Sequence, residues 1–346
     1  MNLLSSLIPL LIFLVSITVV AELATEAGVF NLIANRLARI ARGRILNLYV
    51  IVALAACLIT IFFGLDATAV LFTPVVIVLA RRVNAPLYPF ALLPLLFSNL
   101  ASLLLPVSNL TNLLAEYRFN LRHSAYLHIS YRSSLAVMFV TLMILLLLFG
   151  KDLKGRYEVP SQQKIADPVS TFMAGFACLI FAVLILLDLS APSASLISAG
   201  IATSGALIRD RSKLQARLIP LPLLLLVTTL FLGVDLLNFL GIGRFIAHGT
   251  QGALGTLLWS ALAANLINNL PAYLLFESGV GSHNFFYLLI GVNFGSIILP
   301  WGSLATLLWA QRCKASGMRV EWTKTIVISS LVAVVALPLA AILVFN

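Results

Sequence analysis

Asp66 is the carboxylate most out of place in this chain. It sits in Gly64-Leu65-Asp66-Ala67-Thr68, with an apolar run on either side. A carboxyl group kept among apolar residues is expensive, so it is read as functional by default. It could take a proton or a monovalent cation; the other reading is an ordinary turn outside the membrane. Three further clusters share this setting. Ser108, Asn109, Thr111 and Asn112 follow Pro106, Gly302, Ser303 and Thr306 follow Pro300, and Asn268-Asn269 precede Pro271. A proline inside an apolar run frees backbone groups, and the helix that restarts beyond it points N–H groups at the gap. Together with hydroxyls and amides, such a pocket suits an anion or a small neutral oxyacid. Any one Ser or Thr could instead bond back within its own helix.

The other reactive side chains offer less. Glu22, Glu26, Glu116, Asp188, Asp235 and Glu277 fall near the ends of apolar runs, where solvated caps are expected. His123, His128, His248 and His283 fall in loops or surface helices without ligand spacing. Cys57, Cys178 and Cys313 are far apart and read as small apolar residues, so no metal site is expected. No glycine-rich nucleotide loop is present, so neither ATP hydrolysis nor a cofactor is expected, and no catalytic residue is assigned.

The elements that must position these residues are membrane helices. Apolar residues make up 61% of the 346, charged residues only 10%, and the mean hydropathy is +1.07. A soluble domain carries about 25% charged residues, so a soluble enzyme, a disordered chain and a disulfide scaffold are excluded. The expected fold is an all-α polytopic membrane protein, multi-pass in the cell (inner) membrane. The net charge of +10 does not imply nucleic acid, because the basic residues cluster between apolar runs, where they orient helices.

Apolar runs mark segments at 7–25, 45–63, 66–80, 88–117, 133–149, 169–187, 191–208, 217–232, 252–277, 284–310 and 325–345, with amphipathic stretches at 26–42 and 238–250. The first run meets Glu22 and Glu26 without a cleavage site and is read as a retained helix. Runs 45–80 and 252–277 each divide at a polar tip, and 88–117 and 284–310 each break at a proline. Irregular backbone at membrane depth is tolerated only where protein or a watery cavity satisfies it. Reading the first two as re-entrant hairpins and the last two as broken spans places 18 of the 22 basic residues on one side, the cytoplasmic one.

Residues 99–114 and 293–308 can be superposed without gaps. Asn99/Asn293, Ser102/Ser296, Leu105/Leu299 and Pro106/Pro300 match, and three leucines follow. The order of span, surface helix, hairpin, broken span and final span also recurs, with the hairpins opening to opposite sides. That is the pattern of an inverted repeat around a midplane site. The expected division is a first repeat at 1–149, a cytoplasmic linker at 150–168 and a second repeat at 169–346. The first is short, because 169–187 and 191–208 have no counterpart ahead of residue 7.

Asp66-Ala-Thr-Ala-Val-Leu-Phe-Thr-Pro74, Leu105-Pro-Val-Ser-Asn-Leu-Thr-Asn112, Asn268-Asn-Leu-Pro271 and Pro300-Trp-Gly-Ser-Leu-Ala-Thr-Leu-Leu-Trp309 resemble the arsenite permeases of the ion-transporter superfamily. That superfamily includes citrate and dicarboxylate carriers and sodium/proton antiporters. The resemblance runs from about residue 15 to 345. It implies an elevator-type secondary carrier, proton-coupled, exporting arsenite, antimonite or a similar small oxyanion. It also implies a homodimer and association with a separate ATPase subunit. Asp66, Thr68, Ser108, Asn109, Asn268, Asn269, Ser303 and Thr306 would line the site by motif match. The alternatives are a sodium- or proton-coupled carboxylate or cation carrier, and a truncated relative that does not transport.

Overall fold

Runs of Leu, Ile, Val, Phe and Ala with no polar face can satisfy their backbone in lipid only by closing it into helices. The computed structural model describes residues 3–160, 167–215, 218–239 and 252–344, and among these the regular structure is helical. Among the described residues, six helical stretches are long and apolar enough to span a membrane: Leu7–Glu26, Ile45–Arg82, His123–Phe149, Pro168–Leu186, Ala191–Arg209 and Trp322–Leu343. Leu87–Leu100, Leu221–Gly233, Ala253–Ile267 and Phe285–Ile297 are apolar but shorter. The protein is thus a multi-pass membrane protein. The amphipathic stretch expected at 238–250 lies almost entirely outside the described residues.

By packing, the chain divides into two units, 1–43 with 158–229 and 44–157 with 230–346. The first contains α1 (Leu3–Glu26), α2 (Val29–Ile40), α8 (Pro168–Leu186) and α9 (Ala191–Arg209). Small residues make α9 the common partner of α1 and α8: Ala194, Ser198, Ala202 and Gly205 are buried. A methyl on Gly205 would lie 2.9 Å from the Met173 Cβ. Helix α2 is amphipathic as expected, burying Val29, Phe30, Ala34 and Ala38 and exposing Arg36 and Arg39. The Thr171 hydroxyl donates to the Ala27 carbonyl at 2.6 Å and ties the α1–α2 corner to α8.

The second unit holds every candidate site residue. Its elements are α3 (Ile45–Ala67), a π turn at Thr68–Phe72, α4 (Thr73–Arg82), α5 (Leu87–Leu100), α6 (Leu110–Arg118), α7 (His123–Phe149), α11 (Ala253–Ile267), α12 (Asn269–Glu277), α13 (Phe285–Phe294), α14 (Leu304–Ala315) and α15 (Trp322–Leu343). Helix α10 (Leu221–Phe239) straddles the division. Helix α11 crosses α13 at Gly291 and Gly295, a four-residue spacing that puts both on one face. A methyl on Gly291 would fall onto Ser260 Oγ and within 2.6 Å of the Leu257 carbonyl. Helix α7 starts at His123, ten residues before the apolar run at 133–149. Ser130, Ser133 and Ser134 are polar in sequence but buried, and Ser133 Oγ donates to Ala340 O on α15 at 2.9 Å.

Candidate functional site

The 38 residues of Ile45–Arg82 would measure about 57 Å as one straight helix, nearly twice the hydrocarbon core. They do not run straight. Gly64 leaves the helix with φ 85°, ψ 168°, and beyond it the hydroxyls of Thr60 and Thr68 meet at 2.8 Å. Eight residues of continuous helix rise about 12 Å, so the chain must turn back at Gly64. The second hairpin breaks in the same backbone state: Asn268, between α11 and α12, has φ 89°, ψ 154°. Only glycine enters that region freely, so Asn268 must be held there. Its Nδ2 donates to Trp301 O at 3.0 Å, and the Asn269 N–H donates to Gly302 O at 2.9 Å.

Each hairpin tip is thereby bound to a helix break. Three residues before Gly64, the Ile61 carbonyl accepts from Ser108 Oγ at 2.7 Å. Three residues before Asn268, the Asn265 carbonyl accepts from the Trp301 indole N–H at 2.6 Å. The breaks themselves agree. Asn109 (φ −152°, ψ 141°) precedes α6 and Ser303 (φ −136°, ψ 137°) precedes α14, both as extended N-cap residues.

At the first break the polar groups are satisfied. Asn293, reaching over from α13, accepts at Oδ1 from Asn109 Nδ2 (2.8 Å) and Thr111 Oγ1 (3.0 Å). Its Nδ2 donates to Asn112 Oδ1 at 2.7 Å, and Asn112 Nδ2 donates to Ser102 O at 2.6 Å. Asn109 also caps α6 by accepting from the Thr111 N–H. These side chains are buried and form a closed network.

At the second break the equivalent groups are open. Asn99 is the counterpart of Asn293, Ser303 of Asn109 and Thr306 of Asn112. Asn99 Oδ1, Ser303 Oγ and Thr306 Oγ1 are all buried, and among the described residues none has a hydrogen-bond partner. Ser303 stands at an N-cap yet caps nothing. Asp66 Oδ1 and Thr73 Oγ1 share this condition. Their elements belong together, because α14 packs on the π turn, α4, α5 and α3. A buried oxygen left without a partner costs about 1–3 kcal/mol, so these five are the candidates for contacts to a ligand.

Of the residues singled out in the sequence, Asp66, Asn99, Ser303 and Thr306 thus carry unsatisfied oxygens. Thr68, Ser108, Asn268, Asn269 and Gly302 fix the hairpin tips, and Asn109, Thr111, Asn112 and Asn293 form the closed network. Gly302 tolerates no side chain, since a methyl would meet the Ser296 carbonyl. Sequence reading missed Asn265, which donates to Gly295 O at 2.7 Å and accepts from the Leu299 N–H at 3.0 Å, holding the second break against α11. Its signal was available, an asparagine one helical turn before Asn268-Asn269. Thr60 and Thr73 were also missed; nothing local separates them from other threonines in apolar helices. The sequence reads Glu116 as a solvated cap and His123 as part of a loop or surface helix, but both are buried, and they pair with each other.

Hairpins bound to broken helices, around enclosed polar atoms in a multi-pass fold, are an arrangement suited to a membrane transporter. The relatives agree. Residues 4–284 match the CitMHS family, described as citrate transporter, and the chain belongs to that family. It is similar to the arsenical pump membrane protein of Escherichia coli, 26% identical over 340 residues, covering 89% of this chain and 79% of the relative. The putative arsenical pump membrane protein of Bacillus subtilis strain 168 is 21% identical over 359 residues, with 88% and 80% covered. Among solved structures, the YdaH transporter of Alcanivorax borkumensis superposes with a TM-score of 0.54 at 15% identity, covering 99% of this chain and 86% of that one. That likeness supports the fold.

Proposed function

We propose that the protein is a proton-coupled secondary carrier exporting a small neutral hydroxylated metalloid, arsenite or antimonite, with Asp66 as the coupling residue. The observation that carries this reading is the set of buried oxygens without partners on Asp66, Thr73, Asn99, Ser303 and Thr306. A carboxylate and an amide oxygen accept hydrogen bonds, and the hydroxyls accept or donate. No Lys or Arg stands among them. Such a set suits a ligand rich in O–H donors, and arsenous acid is a neutral trihydroxide at neutral pH. The names of the Escherichia coli and Bacillus subtilis relatives favour the same class. The repeats at 1–149 and 169–346, their inverted orientation and an elevator-type movement belong to this proposal. The matched breaks at Gly64 and Asn268 and at Asn109 and Ser303 support them.

A carboxylate carrier coupled to sodium or protons is the second reading, favoured by the citrate-transporter description of the family. Citrate would have to leave its charges against hydroxyls, amides and the N–H groups of α6 and α14. Purified protein in proteoliposomes tests both. Arsenite should accumulate when a pH gradient is imposed and not when the gradient is collapsed, with sodium and excess citrate making no difference. Citrate accumulation, or arsenite uptake that follows sodium, would overturn the proposal.

A further inference from the structure

Glu116 and His123 are not members of the open cluster and have so far been given no role. Glu116, in the last turn of α6, is 4% exposed, and His123, the first residue of α7, is 6% exposed. His123 Nδ1 and Glu116 Oε1 form a hydrogen-bonded pair that closes the corner between the two helices. Four residues make the corner. Asn120 turns it at φ 49°, and the Leu121 N–H returns to the Glu116 carbonyl at 3.0 Å.

The pair is connected to the helix break through α6 itself. Asn109, Asn112 and Glu116 are spaced three and four residues apart, so they share one face. The first two are bonded to Asn293, and Glu116 lies about 6 Å beyond Asn112 along the axis. One short half-helix therefore carries the closed amide network at its start and a carboxyl–imidazole pair at its end. An enclosed carboxyl–imidazole pair is neutral as a whole when it holds one proton. A second proton, or none, leaves a single uncompensated charge in a dry setting, which is costly. Its proton content should change only when the corner opens to water.

The neighbouring titratable groups come from each packed element. Helix α6 brings Tyr117 and Arg118, the corner Arg122, and α7 Tyr126, whose buried hydroxyl has no partner among the described residues. Helix α12, packed on α6, brings Tyr273 and Glu277, both within electrostatic range of Arg118, and α13 brings Tyr287. Helix α3 contributes Tyr49, Cys57 and Asp66. Helices α5 and α15 hold only Tyr88 and Lys324, which lie beside Phe149 at the other end of α7.

We propose that Glu116 and His123 form a second proton-binding site of the carrier, separate from Asp66, which locks α6 while occupied and exchanges its proton with water when the α6–α7 corner opens. This rests on the carrier reading, but its first test needs no substrate. The full chain has four histidines. With 15N-labelled histidine in lipid nanodiscs, ring nitrogen shifts report the protons on each imidazole. Exposed His128 and His283 serve as internal references. His123 should give a distinct signal that does not titrate with those two. Glu116→Gln should displace that signal, and Asp66→Asn should leave it in place. If His123 titrates together with the exposed histidines in the unaltered protein, the proposal is wrong, and that holds even if Glu116→Gln does not fold. In proteoliposomes, Glu116→Gln should shift the pH profile of substrate exchange, and Glu116→Asp should restore part of it. An unchanged pH profile would overturn the proposal. Failure of arsenite transport beside a distinct His123 signal would overturn only the substrate reading.

Discussion

Asn99 and Asn293 occupy matching places in the two halves, yet replacing each with alanine should have opposite consequences. Asn293→Ala removes three hydrogen bonds between elements, of 2.8, 3.0 and 2.7 Å. Hydrogen bonds between membrane helices average about 0.6 kcal/mol, so the bonds alone account for about 2 kcal/mol. The groups left behind add to this, because Asn109 Nδ2 keeps only a 3.5 Å contact to Ser102 Oγ. Thr111 Oγ1 and Asn112 Oδ1 can close on each other from 3.4 Å, which limits the further loss. The expected total is about 2–4 kcal/mol. Among the described residues, Asn99 makes only local contacts, to Leu95 O at 3.4 Å and Ser98 Oγ at 3.3 Å, and its buried Oδ1 has no partner. Asn99→Ala should therefore change stability by less than about 1 kcal/mol, or raise it, while impairing transport. Thermal unfolding of the two variants in the same nanodiscs decides the matter. Equal losses would refute the claim that one half is closed and the other open.

The crossing of α11 and α13 should not tolerate a methyl group: Gly291→Ala should cost about 1–3 kcal/mol, whereas Gly200→Ala, with nothing within 4 Å, should not destabilise the fold, as unfolding curves will show. Gly64→Ala forces a side chain into a backbone state that only glycine enters freely, 3.4 Å from the Ser108 carbonyl, and it should cost about 1–3 kcal/mol, lowering the melting temperature and reducing transport. Cysteines placed at residues 44 and 82, the two ends of the first hairpin, should be labelled from the same side of the membrane. Labelling from opposite sides would mean a continuous crossing.

Some of this architecture is visible in the sequence for physical reasons. Proline alone does not break these helices, since Pro9, Pro94 and Pro338 lie inside continuous ones. Proline followed by Ser, Asn or Gly, and paired asparagines, interrupt apolar runs with polar groups, so the breaks at Pro106, Pro300 and Asn268 can be placed to within a residue or two. Gly64 could be placed for the same reason, next to an acid among apolar residues. The matched framework of Asn99, Ser102 and Pro106 with Asn293, Ser296 and Pro300 is the sequence signal for the proposed repeat. It could not show that the two asparagines differ. That difference depends on whether a helix distant in sequence presents a partner, and Asn293 finds three while Asn99 finds only its own helix. Glu116 and His123 failed for a related reason: charge near the end of an apolar run suggests solvent, but the α6–α7 corner folds the two onto each other. The start of α7 was hidden too, since buried serines lower the hydropathy of a segment whose bonds lie on its neighbours.

The account rests most heavily on Asp66, and one measurement addresses it directly. Asp66→Asn, reconstituted in proteoliposomes, should fold, because the amide keeps the shape and needs no charge partner. Arsenite accumulation driven by an imposed pH gradient should be lost, while exchange of labelled for unlabelled arsenite across the same membranes persists. Accumulation at the rate of the unaltered protein would contradict the account and leave Asp66 as a turn residue at the tip of a hairpin.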